Sequence, residues 1–129
     1  MNPQIAHALV TDRVIDITTT GRKSGEARRI EIWFHNLDGK LYITGVPIRP
    51  RSWYANLLAQ PACTFHLKGS VQADIPAQAI PILDKEERRT VLSGILAKID
   101  ADLGDNSRNV DDWVARSPLV EIILEDTQE

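Results

Sequence analysis

The sequence is short of several things, and each shortage removes a class of protein. It has one cysteine, Cys63, in 129 residues, so no internal disulfide framework is possible. A lone thiol fits a reducing compartment. Its neighbours Ala62, Thr64 and Phe65 form a strand-like run, which favours a packed thiol over a nucleophile. The three histidines, His7, His35 and His66, lack metal-ligand spacing and have no cysteine cluster beside them, so no metal is expected. No apolar run approaches the roughly 20 residues needed to span a bilayer. Met1 to Thr11 lacks a charged stretch followed by an apolar core, so no signal peptide is visible and a cytoplasmic protein is expected. Gly-x-Ser-x-Gly is absent, as is the Walker pattern Gly-x-x-x-x-Gly-Lys-Ser/Thr. The acids between Asp100 and Asp112 have no calcium-loop spacing and read as a solvated surface.

What is present suits one soluble domain. A chain of 129 residues buries a real core without disulfides or metals. Hydrophobic residues make up 43% and charged residues 26%, which is the balance of an ordinary globular protein. The net charge of −3 is unevenly spread. Residues 1–51 carry eight Lys/Arg against five Asp/Glu; residues 52–129 carry seven against thirteen. General nucleic-acid binding needs a broad basic face, which this chain does not supply. A local basic site facing a small anion fits better.

The patterning is mainly β. Asn2 to Thr11 is mildly apolar and suits a short helix. Val14 to Thr20 is rich in β-branched residues and reads as a strand, closed by the Gly21–Glu26 turn. Ala27 to His35 alternates, with Ile30, Ile32 and Phe34 on one face and Arg29, Glu31, Trp33 and His35 on the other. Asp38-Gly39 marks a tight hairpin leading into a partner strand, Leu41 to Val46. Ser52 is a plausible N-cap for a helix through Gln60, which Pro61 terminates. Ala62 to Lys68 forms the next strand, with His66 facing away from Cys63, Phe65 and Leu67. Val71 to Ile75, extended toward Leu83, forms another; Pro76 and Pro81 confine it to an edge or a bent path. Asp84 and Glu87 resemble a capping box before a helix carrying Val91, Leu92, Ile95, Leu96, Ile99 and Leu103 at helical spacing. Val110 to Arg116 is a second short helix, and Pro118 to Glu125 a closing strand. Sequential strands of this kind favour an antiparallel, mainly β (α+β) barrel over a doubly wound sheet.

Two stretches carry candidate chemistry. Gly21-Arg22-Lys23-Ser24-Gly25 followed by Arg28 is a glycine-bounded basic loop. Glycines let the backbone approach an anion, and arginine adds planar contacts to phosphate or carboxylate. From spacing alone, a solvated basic turn remains the competing account. Ser52-Trp53-Tyr54-Ala55-Asn56-Leu57 opens an aromatic helix. Tyr54 is a candidate proton donor, with packing as its alternative.

Thr18-Thr19-Thr20-Gly21-Arg22-Lys23-Ser24-Gly25 with Arg28, and then Trp53-Tyr54-Ala55-Asn56-Leu57 ending at Pro61, resemble the two motifs of the deazaflavin-dependent nitroreductase family in order and spacing. The likeness runs from about Ile15 to Lys68 and more weakly beyond. It implies a split β-barrel of about six mostly antiparallel strands with flanking helices, usually a homodimer. It implies a deazaflavin cofactor, coenzyme F420, with hydride transfer to a small electron-poor acceptor such as a quinone, an enone or a nitro compound. By position, Arg22, Lys23, Ser24 and Arg28 would hold the phosphate and acidic tail. Gly45, Val46, Arg49, Arg51, Ser52 and Trp53 would line the ring. The sequence departs from the family at Gly45 to Arg51, where proline and isoleucine replace small residues and a lysine is missing. FMN in the same barrel, or a barrel that binds a small anion without redox chemistry, are the alternatives.

Overall fold

The computed structural model describes residues 2–47 and 52–125. Its elements run α1 (Pro3–Thr11), β1 (Val14–Thr20), β2 (Ala27–Trp33), β3 (His35–Leu37), β4 (Lys40–Thr44), α2 (Ser52–Ala59), β5 (Ala62–Lys68), β6 (Gln72–Pro81), α3 (Lys85–Leu103), α4 (Val110–Arg116) and β7 (Leu119–Leu124). The seven strands form one antiparallel sheet in the order β2-β1-β5-β6-β7-β4-β3. The fold is the expected split barrel with flanking helices, with seven strands where about six were expected.

The extra strand comes from a break at Phe34. The Ala27–His35 alternation predicts one strand, but the chain changes partner at this residue. Phe34 donates its N–H to the Arg13 carbonyl (2.9 Å) and buries its ring edge-on against Phe65, with centroids 5.3 Å apart. β2 before it pairs with β1, and β3 after it pairs with β4. The two outermost strands of the sheet are therefore neighbours in sequence, one residue apart. The break also inverts the expectation for His35, which is buried rather than on an exposed face.

Inward-facing residues of the curled sheet build the main core. Ile15, Ile17, Phe65, Leu67, Ile75, Ala77, Ile43 and Val120 meet Trp53 and Leu57 of α2 and Ala8 and Leu9 of α1. A second cluster lies between the sheet and the pair α3–α4, where Tyr42 and Leu119 meet Leu92, Ile95, Leu96 and Trp113. Asp84 caps α3 by accepting the Glu87 N–H at 2.9 Å, and Gly104 ends it in the left-handed region (φ 66°). Arg88 on α3 donates to the carbonyls of Ile82, Trp113, Val114 and Ser117 and so fastens α4 and the entry to β7.

The prolines of β6 do not force it to an edge. β6 lies inside the sheet, between β5 and β7. Pro76 faces Thr64 on one side; on the other its carbonyl accepts from Glu125 N, just past the last residue of β7. Its missing N–H therefore falls on the rung just past the paired residues of β7, where only the Glu125 bond is made. Pro81 closes β6. The backbone groups of Ala79 turn to the β5 side, where its N–H reaches Pro61 O, and those of Ile82 turn to β7, where its N–H reaches Leu119 O. By alternation Pro81 points to the β5 side, beyond the end of β5 at Ala62. An interior strand tolerates proline at the last rung of a ladder or beyond it, where at most one donor is lost.

Candidate functional site

A cleft of about 390 Å³ opens between the β1–β2 turn and α2, lined by Thr19, Gly21, Arg22, Lys23, Ser24, Arg28, Ile30, Ser52, Trp53 and Asn56. The turn is held by its own backbone. Gly21 N–H donates to Glu26 O (2.7 Å), and Gly25 N–H donates to Gly21 O (2.8 Å). Gly25 sits at φ +73°, a conformation that glycine adopts without strain. Gly21 leaves room for Ser24: a Cβ there would lie 2.7 Å from Ser24 Oγ and 3.3 Å from Glu26 O, and the serine would have to turn away. Ser24 Oγ accepts the Glu26 N–H at 3.1 Å, which leaves its own hydrogen free to donate into the cleft.

Three cations reach this cleft: Arg22, Lys23 and Arg28. Among the described residues none of the three makes an ion pair. Arg22 is fixed instead by a neutral group. The Asn56 Oδ1 accepts from both Arg22 N (3.1 Å) and the Arg22 guanidinium (3.0 Å), while Asn56 Nδ2 donates to Thr19 Oγ1 (3.2 Å). Asn56 and Thr19 are both buried. Ser52, the first residue of α2, brings the positive end of a short helix dipole to the same cleft. Trp53 lines the cleft only at its edge. It is buried in the main core and meets Tyr54 edge-on, with ring centroids 5.8 Å apart.

The structure thus brings together Arg22, Lys23, Ser24, Arg28, Ser52 and Trp53. It does not bring Tyr54 to them. Tyr54 lines a second cleft, of about 410 Å³, with Ala55, Leu58, Leu83, Arg116 and Pro118 on the other side of α2. Gly45 and Val46 follow the end of β4 and do not line the first cleft. Arg49 and Arg51 lie outside the described residues. Four further lining residues were not singled out as site residues from the sequence: Thr19, Gly21, Ile30 and Asn56. For Asn56 a signal existed. It stands three residues after Trp53 and four after Ser52, so all three share one helix face.

Other polar groups lie elsewhere. On the outer face of the sheet, Asp16 receives Lys68 (2.7 Å) and Arg29 (2.9 Å), and these two hydrogen bonds hold its carboxyl below the usual carboxylate range. His66 is buried on that same face, against the expectation of an exposed position, between side chains of the strands on either side of it. Its Nε2 lies 2.6 Å from Thr18 Oγ1 and its Nδ1 lies 2.7 Å from Asp74 Oδ1, which ties β1, β5 and β6 together. The bond to His66 holds the Asp74 carboxyl low. His35 is pushed down to about 4, chiefly by burial and further by the nearby cations Lys98 and Arg13. Burial pushes the Cys63 thiol up to about 11, the signature of an inert packed sulfur. Among the described residues there is no metal-binding cluster of His, Cys, Asp or Glu, and no helix long and apolar enough to cross a membrane.

The fold matches solved split-barrel structures along most of its length. It resembles the conserved hypothetical protein Rv2991 from Mycobacterium tuberculosis at a TM-score of 0.73 and 16% identity, over 98% of this chain and 82% of that one. A FAD-binding protein from Mesorhizobium loti matches at 0.63 and 16% identity, over 95% and 87%. The F420-H2 dependent reductase FDR-A matches at 0.55 and 20% identity, over 86% and 94%. These likenesses define the class as a split β-barrel, in which different members hold different cofactors. No curated protein matches the sequence. The family model for F420H(2)-dependent quinone reductase matches residues 1–112, and the chain belongs to that family. With the family come the cofactor, the deazaflavin F420, and the reaction class, a deazaflavin-dependent oxidoreductase.

Proposed function

We propose that the cleft between the β1–β2 turn and α2 holds the phosphate and acidic tail of F420, and that the chain uses this cofactor to reduce a small electron-poor acceptor of the quinone, enone or nitro class. The observation that carries this reading is the set of three cations, Arg22, Lys23 and Arg28, which meet in one cleft without a carboxylate partner among the described residues. Uncompensated like charges repel one another, and an anionic ligand relieves that cost. The donor set fits a multiply charged tail. It offers two guanidinium groups, one ammonium, the free Ser24 hydrogen and the head of α2.

Each residue then has a task. Arg22 and Arg28 offer planar donors to phosphate or carboxylate oxygens, and Lys23 offers a mobile ammonium. Gly21 and Gly25 keep the turn tight enough for backbone and ligand to approach. Ile30, about a third exposed, and the edge of Trp53 give the cleft an apolar side. Reduced deazaflavin supplies the hydride; the chain supplies binding, orientation and charge. Tyr54, on the far side of α2, takes a packing role in this reading.

The chain is further read as one domain, because a single sheet takes up every strand. It is read as a cytoplasmic homodimer. The buried lone thiol and the absence of disulfides support the compartment. One structure of similar fold, at 19% identity and a TM-score of 0.55, is a domain-swapped dimer, which supports the pairing. Light scattering of the purified chain checks it.

Fluorescence titration tests the site. The wild type is titrated with F420 and with FMN, and again as Arg22→Ala/Lys23→Ala. Preferential binding of F420, lost in the double variant, is the expected result. Equal F420 affinity in the two proteins would overturn the basic-loop assignment.

A further inference from the structure

We infer that Asn56 is a positioning residue that holds Arg22 in place without neutralising it, so that the charge of Arg22 stays available to an anion; this rests on the reading of the cleft given above. A guanidinium on a surface turn has many rotamers, and ordering it costs entropy. A carboxylate can fix such a group, and one does so elsewhere in this chain: Arg29, the second residue after Ala27 on β2, is held by Asp16 at 2.9 Å. An ion pair of that kind locks the side chain and also satisfies its charge. At Arg22 the lock is an amide oxygen.

The geometry leaves little freedom in that assignment. Two donors, the Arg22 backbone N–H and its guanidinium, converge on Asn56 Oδ1, and Thr19 Oγ1 sits on the other side of the amide at 3.2 Å from Nδ2. An amide has one acceptor end and one donor end, so two donors on one side fix its orientation. Asn56 is 4% exposed and Thr19 2% exposed, so both work from within the wall of the cleft. The backbone bond holds the turn at Arg22 and the side-chain bond holds its head. One amide therefore sets both the path of the loop and the direction of the cation, and a net charge of +1 remains on Arg22.

This separates two properties that a merely structural asparagine would not separate. Asn56→Asp keeps an acceptor for both Arg22 donors, and the Thr19 hydroxyl can turn to donate to it. It adds a negative charge in contact with the guanidinium. Thr19→Val removes the acceptor of the Asn56 Nδ2 and so loosens the amide while leaving every charge as it was. The measurements are affinity for F420, affinity for the deazaflavin chromophore without phosphate or glutamates, and hydrogen exchange of the Arg22 amide.

Asn56→Asp is expected to keep the Arg22 amide protected and to leave chromophore affinity within about twofold. Its F420 affinity should fall by about tenfold or more, the scale of one charge-assisted bond. Its F420 binding should also depend less steeply on salt, because one cation is already paired. Thr19→Val should weaken F420 by a smaller factor with an unchanged salt dependence. If Asn56→Asp binds F420 as tightly as the wild type, or loses the chromophore equally, the inference is overturned while the cleft assignment stands. A wild type that binds F420 no better than the bare chromophore overturns the cleft assignment, and this inference with it.

Discussion

Arg28 and Arg29 are adjacent on β2, and the structure treats them in opposite ways. Arg28 turns into the cleft beside Gly21, where no carboxylate pairs with it among the described residues. Arg29 turns to the outer face, where Asp16 binds it and Lys68 joins Asp16 and Glu31. Strand alternation sends the two side chains to opposite faces. One face collects cations that no carboxylate pairs with among the described residues; the other collects cations in a closed network. A surface network of that kind adds little stability. Like charges held together in the cleft repel one another, and under the proposed function an anion relieves that repulsion. Reaction class comes from the family, but the division of labour between these two faces is written in the residues themselves.

The largest test of this contrast is the pair Arg22→Ala/Lys23→Ala. Each lost charge-assisted bond is worth about 1.5–3 kcal/mol, so F420 affinity should fall roughly 10- to 150-fold per bond, read by fluorescence titration. The urea midpoint of the apoprotein should hold or rise slightly. A large drop in stability would mean that these cations hold the fold rather than a ligand.

A third environment sharpens the contrast, because a buried base there stays neutral among cations. His35 titrates at about 4 in the fold against 6.5 when unfolded, so the unfolded chain binds the proton more readily between those values. The stability from its neutral form is complete above pH 6.5 and is lost as pH falls through about 4. Between pH 6.5 and 5 the loss should be on the order of 2 kcal/mol by urea unfolding, and His35→Leu should flatten that slope. An equally steep slope in the variant would place the titration elsewhere.

Smaller effects test the two faces side by side. Arg28→Ala should weaken F420 by about tenfold, and Arg29→Ala should leave it within about twofold. Equal losses would erase the distinction between the faces. The smallest effect is on the closed network. Asp16→Asn should cost under about 1 kcal/mol at neutral pH and leave F420 binding unchanged. Because the Asp16 carboxyl is held low, its contribution is present above the unfolded carboxylate range and fades as pH falls through its folded value.

Much of this was legible in the sequence. The Asp38-Gly39 hairpin, the strand at Val14, the Asp84 cap and the apolar stripe of α3 follow from local rules, and the structure has them. Local rules failed where a residue's role depends on which strand lies beside it. The alternation of Ala27 to His35 continues smoothly through Phe34, so it carries no sign that the chain changes partner there. Pro76 is a poor interior-strand residue until one knows that it lies just past the paired residues of β7 and still accepts from Glu125. His66 looks like an outward-facing histidine, and only the register of β1, β5 and β6 sets Thr18 and Asp74 around it. In the cleft, the charged residues were visible because charge is written in the sequence. The neutral Asn56 was visible only as a motif letter, because its role requires two segments 34 residues apart to meet.

The break at Phe34 has a consequence for how the chain assembles. A sheet that ends on two strands distant in sequence must close a long loop to bring its margins together, and that closure carries an entropic charge. Here the two margins leave from either side of a single residue. Once β1–β2 and β3–β4 have each zipped as local hairpins, both borders of the sheet already depart from one point. The two border strands are thus placed by local pairing alone, before the long-range joins of β1 to β5 and of β4 to β7 are made.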